Sequence, residues 1–216
     1  MYINHKGNRG TNMQILKEKV RNAILTSAAA EFNEKGFENA SMRQIASKAG
    51  ITPGNIYRYF ANKEDIRKAI IEPIMTELDQ ILSSCSNGKI GWNTDLTSLL
   101  QSNESFELDL RQFSDKFVAL YHKNENGMIM LAKEQSYRVY YKEWLNSLLF
   151  AYFSNRKKTA DANMIKIMSA ISSVLMIDSI IESMSFQAEC RQMNIAESEI
   201  MYQCISVIMG AEASKL

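Results

Sequence analysis

Between Asn55 and Lys63 the chain gathers an amide, two phenols, a guanidinium and an ammonium. Side chains of these types recognise nucleic acid. An amide pairs bidentately with adenine and a guanidinium with guanine, so Asn55 and Arg58 are candidates for reading base edges. Tyr57, Tyr59 and Lys63 suit phosphate oxygens, contacts that fix register without reading sequence. Thr52, Pro53 and Gly54 lead into the stretch and allow close backbone approach to a polyanion. Thr26, Ser41 and Arg43 are further candidates for backbone contacts. The competing readings are aromatic packing between helices for Tyr57 and Tyr59, core packing for Phe60 and a solvated charge for Lys63.

Bond-making chemistry finds little support. The two histidines, His5 and His122, are too far apart for a metal pair or a triad, and no GxSxG, phosphate-loop or HExxH pattern occurs. Cys85, Cys190 and Cys204 are an odd, widely spaced set that fits neither a disulfide framework nor a zinc site. The expectation is reduced thiols, no metal, no cofactor and no enzyme.

The elements that must position the 55–63 stretch are helical. The 216 residues hold only 2 prolines and 9 glycines, and apolar residues recur at three- and four-residue spacing. Residues 1–13 lack this periodicity and read as a disordered arm, with Met13 an alternative start. Ile15, Val20, Ile24, Leu25, Ala28 and Phe32 trace a first helix over 14–35, stopped by Gly36. Ser41 caps a short second helix with Met42, Ile45, Ala46 and Ala49 on its buried face, ended by Gly50. Thr52 as N-cap and Pro53 at the first helical position start a third helix running to Phe60. Two short helices about a glycine turn form a helix-turn-helix, in which the second helix enters the major groove.

The stretch from Ile24 to Ile70 resembles the TetR family of repressors. The resemblance is carried by Phe32, Gly36-Phe37, Ser41, Ile45-Ala46, Ala49-Gly50, the Tyr57-x-Tyr59-Phe60 signature and Asn62-Lys63-Glu64-Asp65. Many relatives have histidine in place of Tyr59. The resemblance implies an all-α protein with a DNA-binding domain over 14–62. A fourth helix would join it to a larger ligand-binding and dimerisation domain over 63–216. It also implies a homodimer on a palindromic operator, released when a small-molecule effector bound in the body shifts the fourth helix.

That fourth helix should run from the Asn62 cap to about Ser84, with a kink or local break at Pro73. Ser86–Asp95 reads as a loop, and two or three helices follow to about residue 155, ending at a solvated Arg156-Lys157-Lys158 cluster. Phe106, Phe113, Phe117, Tyr121, Met128, Met130, Tyr137, Tyr141 and Trp144 can line an apolar effector cavity or fill a core. Two C-terminal helices, 161–188 and 195–213, carry apolar residues on more than one face. Ile167, Ile171, Val174, Ile181, Ile200, Cys204 and Ile208 are the candidates for a dimer interface.

Net charge is only +1, but it is unevenly distributed. Residues 1–70 hold 12 Lys or Arg against 6 Asp or Glu, while the rest hold 13 against 18. A basic head on an acidic body suits operator DNA as partner. No stretch reaches the roughly 18 to 20 apolar residues of a membrane span, and the N-terminus is too polar for a signal peptide, which points to the cytoplasm. Two other readings share this sequence: a helical ligand- or protein-binding module without DNA, and an activator on the same fold.

Overall fold

The computed structural model describes residues 7–91, 94, 108–133, 135–156, 161–183, 190 and 192–209, and all regular structure among them is helical. α1 spans Gly7–Asn39 with non-helical backbone at Gly36 (φ 77°, ψ 157°). It buries Ile24, Ala28 and Phe32, one side chain per turn. The helix starts seven residues before the expected Gln14, so residues 7–13 are helical where a disordered arm was expected; residues 1–6 lie outside the described residues. Propagating a nucleated helix is cheap, and no proline interrupts this stretch.

α2 (Met42–Lys48), α3 (Pro53–Ile56) and α4 (Lys63–Cys85) follow. α3 is shorter than expected, since Tyr57–Tyr59 form turns rather than further helix. Of the kink or local break expected at Pro73, the break does not occur: α4 runs through the proline without interruption. A proline inside a helix costs about 3 kcal/mol. Pro73 is exposed, whereas Ile71 and Ile74 beside it are almost fully buried, and each burial returns about 1.5–3 kcal/mol. The apolar face outweighs the missing hydrogen bond.

The chain forms two compact units. The first comprises residues up to Ile74 together with Glu125–Met130, so it takes in the start of α4 and does not end at residue 62 as expected. The inserted segment opens α6 (Glu125–Lys133), which follows α5 (Leu110–Lys123). Its Gly127 lies so close to α4 that a Cβ there would be 2.6 Å from Ile74 Cδ1 and 3.2 Å from Ile70 Cγ2. The Asn33 side-chain amide donates to the Asn126 carbonyl at 2.8 Å, tying α1 to the same segment.

The second unit contains α5, α7 (Gln135–Arg156), α8 (Ala162–Ser183) and α9 (Glu197–Met209). α8 packs on α7 and α9, and α9 packs on α5. Asp109 caps α5 by accepting from Gln112 N at 2.9 Å. The inner face of α8 presents Ile165, Ser169 and Ser173, whose small hydroxyls turn back onto the carbonyls of Lys166 and Ala170. Short side chains there let neighbouring helices approach. Arg111 pairs with Glu199 at 2.6 Å and lies over the Tyr202 ring, and His122 Nε2 lies 2.8 Å from a Glu197 carboxylate oxygen, so polar contacts join α5 to α9. Cys85 and Cys190 are buried, Cys204 is half-buried and all three are free thiols; burial raises the Cys85 pKa. Lys157 and Lys158 lie outside the described residues, as do the expected ends of the last two helices beyond Ser183 and Met209. Among the described residues no helix is long and apolar enough to cross a membrane.

The packing at Gly127 separates two substitutions. In Gly127→Ala, the gain of about 0.5–1 kcal/mol in helix propensity offsets the displacement of Ile74 Cδ1, leaving stability nearly unchanged. In Gly127→Val, two further methyl groups press on Ile70 and Ile74, and the urea midpoint should fall by the equivalent of about 1–3 kcal/mol. Equal midpoints for the two variants would refute this account of the site.

Candidate nucleic-acid interface

The angle between α2 and α3 is set by a short run of backbone hydrogen bonds. Gly50 has φ +69°, the left-handed conformation that glycine adopts without strain. With Gly50 there, its N–H donates to Ser47 O at 3.1 Å and the Ile51 N–H to Ala46 O at 3.0 Å. This pair is the Schellman pattern, which satisfies the last carbonyls of α2 and reverses the chain at once. Pro53 then occupies the start of α3 as expected. Thr52 holds the N-cap position, but its hydroxyl makes no capping bond; only its carbonyl is used, accepting from Asn55 N at 2.9 Å. The turns after α3 are closed by Arg58 N to Asn55 O, Tyr59 N to Ile56 O and Phe60 N to Ile56 O. Ile45, Ala46, Ile56 and Phe60 are buried beneath.

A charged cluster that sequence spacing did not single out ties α1 to α2. The Glu31 side chain is fully buried, with Lys35 Nζ at 2.9 Å from one carboxylate oxygen and Lys48 Nζ at 2.6 Å from the other. Lys48 also reaches Glu34 at 2.6 Å. The Gln44 amide completes the shell: its nitrogen donates to Glu31 at 2.9 Å and to Ser41 Oγ at 3.0 Å, and its oxygen accepts from Lys35 at 2.9 Å. Ser41 caps α2 as expected, accepting from Gln44 N at 3.2 Å. The Lys48 hydrogen bond, then that of Lys35, holds the Glu31 carboxyl below its ordinary pKa against the opposing effect of burial. The Lys48 ammonium is raised correspondingly, chiefly by its bond to Glu31. The signal that could have found it is a carboxylate in the Ile24–Ala28 stripe with lysine four residues on.

On this platform the outer surface of α3 and its turn carries Thr52, Pro53, Gly54, Tyr57 and Arg58 exposed, with Asn55 and Tyr59 half-buried. Tyr57 is 58% exposed, so it is not the packing residue of the competing reading. Thr26 on α1 and Arg43 on α2 are also exposed, while Ser41 is half-buried at its cap. Phe60 lies in the core, which agrees with a packing role.

Lys63 is placed differently from either reading of it. Its ammonium donates to the carbonyls of Phe37 (2.8 Å) and Glu38 (2.9 Å) and lies 4.9 Å from the Phe37 ring centroid. Cations are favoured where a helix end leaves carbonyls unpaired. Arg67 covers the same ring at 5.1 Å while bonded to Glu64, whose carboxyl it holds below the ordinary range. Phe37 in turn packs on Phe32 at 5.3 Å. Asn62 caps α4 by accepting from Asp65 N at 2.9 Å. Phe37, Met42, Tyr57, Ala61, Asn62, Lys63 and Glu64 line an open cleft of about 400 Å³ beside this junction.

The other candidate residues divide between the units. Of the expected cavity set, Phe117 and Tyr121 are buried in the second unit and Phe113, Tyr141 and Trp144 are half-buried there, with Tyr141 Oη bonded to Met75 Sδ. Met128 and Met130 are buried in the first unit. Phe106 and the Tyr137 side chain lie outside the described residues. Of the expected interface set, Ile167 (57%), Ile171 (56%) and Val174 (37%) are exposed on one face of α8, and Ile200, Cys204 and Ile208 are half-buried on α9. The Ile181 side chain lies outside the described residues.

Residues 24–70 match the family described as bacterial regulatory proteins, tetR family. The chain is 31% identical over 143 residues to the uncharacterized HTH-type transcriptional regulator YvdT of Bacillus subtilis, covering 65% of this chain and 70% of that protein. It is 42% identical over 60 residues to the HTH-type transcriptional regulator UidR of Escherichia coli, a match covering 28% of this chain and 31% of UidR, about a third of that relative's length. In fold it is similar to a TetR-like transcriptional regulator from Rhodococcus sp. RHA1, at a TM-score of 0.58, 15% identity, and coverage of 91% of this chain and 97% of that one.

The Glu31 cluster makes a stability prediction with a definite pH dependence. Glu31→Ala should destabilise the first unit by roughly 2 kcal/mol, below the usual cost of breaking a buried pair because Lys35 and Lys48 can rehydrate. Since the folded carboxyl has a lowered pKa, its contribution is complete above the ordinary carboxylate range and is lost as pH falls through the depressed value. The raised Lys48 amine contributes fully below its ordinary pKa, so it adds no slope near neutrality. Denaturation curves of both proteins from pH 7 down to pH 3 should therefore converge; a constant gap would contradict the assignment.

Proposed function

Because this chain belongs to the tetR family of bacterial regulatory proteins, we propose that it is a homodimeric DNA-binding repressor. The observation that carries the reading is the exposed row Thr52, Pro53, Gly54, Tyr57 and Arg58, held on a turn whose interior is buried and hydrogen-bonded. A rigid mount with an exposed polar and aromatic face reads a groove without ordering its own backbone on binding. Arg58 and Asn55 contact base edges. Tyr57, Tyr59, Thr26, Ser41 and Arg43 contact phosphates. Lys63 secures the end of α1 and has one remaining N–H for the backbone of the DNA.

The dimer forms through the outer faces of α8 and α9. Ile167, Ile171, Val174 and Leu175 on α8 and Val207 on α9 leave an apolar surface that a second copy covers. A two-fold related pair then presents two α3 helices to half-sites about 34–36 Å apart, one turn of the duplex. A small-molecule effector bound among Phe113, Phe117, Tyr121, Tyr141 and Trp144 lowers operator affinity. The sign of regulation and the presence of an effector follow the family resemblance.

Footprinting on the DNA flanking the gene tests the reading. Wild-type protein should protect a palindrome. Arg58→Ala or Asn55→Ala should weaken binding by about 1–3 kcal/mol and relax specificity at one base pair per half-site, whereas Tyr57→Phe should weaken all sequences alike. Binding unaffected by all three would remove α3 from the interface. Ile171→Glu should convert the dimer to monomer in sedimentation velocity, with loss of the two-fold footprint.

A further inference from the structure

We propose that Asn87 is a site of spontaneous covalent modification, a deamidation to aspartate and isoaspartate that the C-terminal cap of α4 paces and that Asn126, in the same dipeptide, escapes. The inference is independent of the DNA-binding reading. The chain holds two Asn-Gly pairs, Asn87-Gly88 and Asn126-Gly127. Such a pair can react with itself, because glycine leaves the asparagine side chain unhindered access to the following backbone nitrogen. The Gly88 nitrogen attacks Asn87 Cγ, the N–Cγ bond forms, the Cγ–Nδ2 bond breaks, and ammonia departs with the proton from the Gly88 N–H. Water then opens the resulting cyclic imide. Attack at Cγ gives aspartate, whereas attack at the Asn87 backbone carbonyl gives isoaspartate, in which the main chain runs through an extra methylene. The steps are acyl substitutions and need no oxidant or reductant.

The two pairs are identical in sequence and opposite in setting. Asn87 and Gly88 are exposed just past the end of α4, with φ 53° and 77°. The nucleophile is restrained there by a backbone bond, Gly88 N–H to Ser83 O at 2.7 Å. Bonds at helix ends open at low free energy, and each opening frees the nitrogen and lets Asn87 leave the left-handed region. Asn126 stands in the first turn of α6, its carbonyl held by the Asn33 amide at 2.8 Å. Gly127 is buried there against Ile70 and Ile74. Swinging that peptide into reactive geometry would break the bond and disturb the packing together, so the reaction is confined to Asn87. Its products differ because the cap is anchored on both sides of the pair. Lys89 N donates to Ser86 O at 3.1 Å, and Ile90, almost fully buried, donates its N–H to Ser86 Oγ at 2.9 Å. The aspartate product keeps the backbone and adds a carboxylate near the last carbonyls of α4, where the helix dipole disfavours it. The isoaspartate product lengthens the span from Ser83 to Ile90 and loosens Ile90. Asp109 N donates to Cys85 O at 2.9 Å, so the start of α5 is tied to the same end of α4 and feels the change.

The test is peptide mapping of the folded full-length chain, incubated in mildly alkaline buffer beside the same chain unfolded in urea. Each modified asparagine gains about 1 Da, and chromatography separates isoaspartate from aspartate. In urea the two sites should react alike. In the folded chain Asn87 should react on the order of tenfold more slowly than in urea, because the cap must open first, and Asn126 should stay intact over the same period. Hydrogen exchange at the Ile90 amide should be faster in the isoaspartate fraction than in unmodified protein. Ser86→Ala, which removes the hydroxyl that holds Ile90, should raise the rate at Asn87 alone; Asn126 serves as internal control, since global unfolding would raise both. The wild-type comparison decides without the variant. Asn126 reacting as fast as Asn87 in the folded chain would overturn the proposal. So would an Asn87 that stays intact while the unfolded chain is consumed, or one that reacts at its unfolded rate.

Discussion

The geometry of the first unit depends on one carboxylate being buried between two helices. An unpaired charge in that position would cost several kcal/mol, so Glu31 is tolerable only while Lys35, Lys48 and Gln44 converge on it. Two of these partners stand on α2. The register of α2 against α1 is thereby chosen by hydrogen-bond direction, which hydrophobic packing alone leaves loosely specified. The Schellman turn at Gly50 passes that choice to α3, and the exposed row from Thr52 to Arg58 inherits it. Polar anchoring inside and polar presentation outside are thus parts of one arrangement.

A second anchoring point lies six residues further on, at the C-terminal end of α1. Phe37 is packed on Phe32 on one side and covered by Lys63 and Arg67 on the other, and Lys63 also neutralises the last carbonyls of the helix. The N-terminus of α4 is therefore attached to α1 by cations, with its own first turn capped by Asn62 and enriched in Glu64 and Asp65. Both ends of the reading element are held by charge placed against helix ends or burial, so its stiffness does not rely on the four residues of α3 themselves.

Much of this was legible from local rules. Ser41 as cap, Gly50 as stop, Pro53 as start and the helical spacing of Ile24, Ala28 and Phe32 depend on neighbours within a few residues, and the structure places them accordingly. What was hidden depends on partners far along the chain. Lys63 reads as a surface lysine until Phe37 and Glu38 arrive beside it from 25 residues away or more. Thr52 has the residue type of a side-chain cap, but the backbone alone closes the turn. Pro73 reads as a kink or a break, and the rule that allows the break omits the burial of Ile71 and Ile74 beside it. The cavity set was a matter of aromatic spacing, which does not distinguish residues that line a cavity from residues that fill a core.

The segment Glu125–Met130 makes the reading unit a composite of two stretches far apart along the chain. Gly127 fits against Ile70 and Ile74, and Asn126 accepts from Asn33, so a fragment cut after α4 would leave an apolar notch and an unpaired amide on its surface. Transplanting such a head onto the body of a relative is consequently a two-segment graft: the first turn of the recipient's own α6 has to supply a residue no larger than alanine in register with the donor's isoleucines.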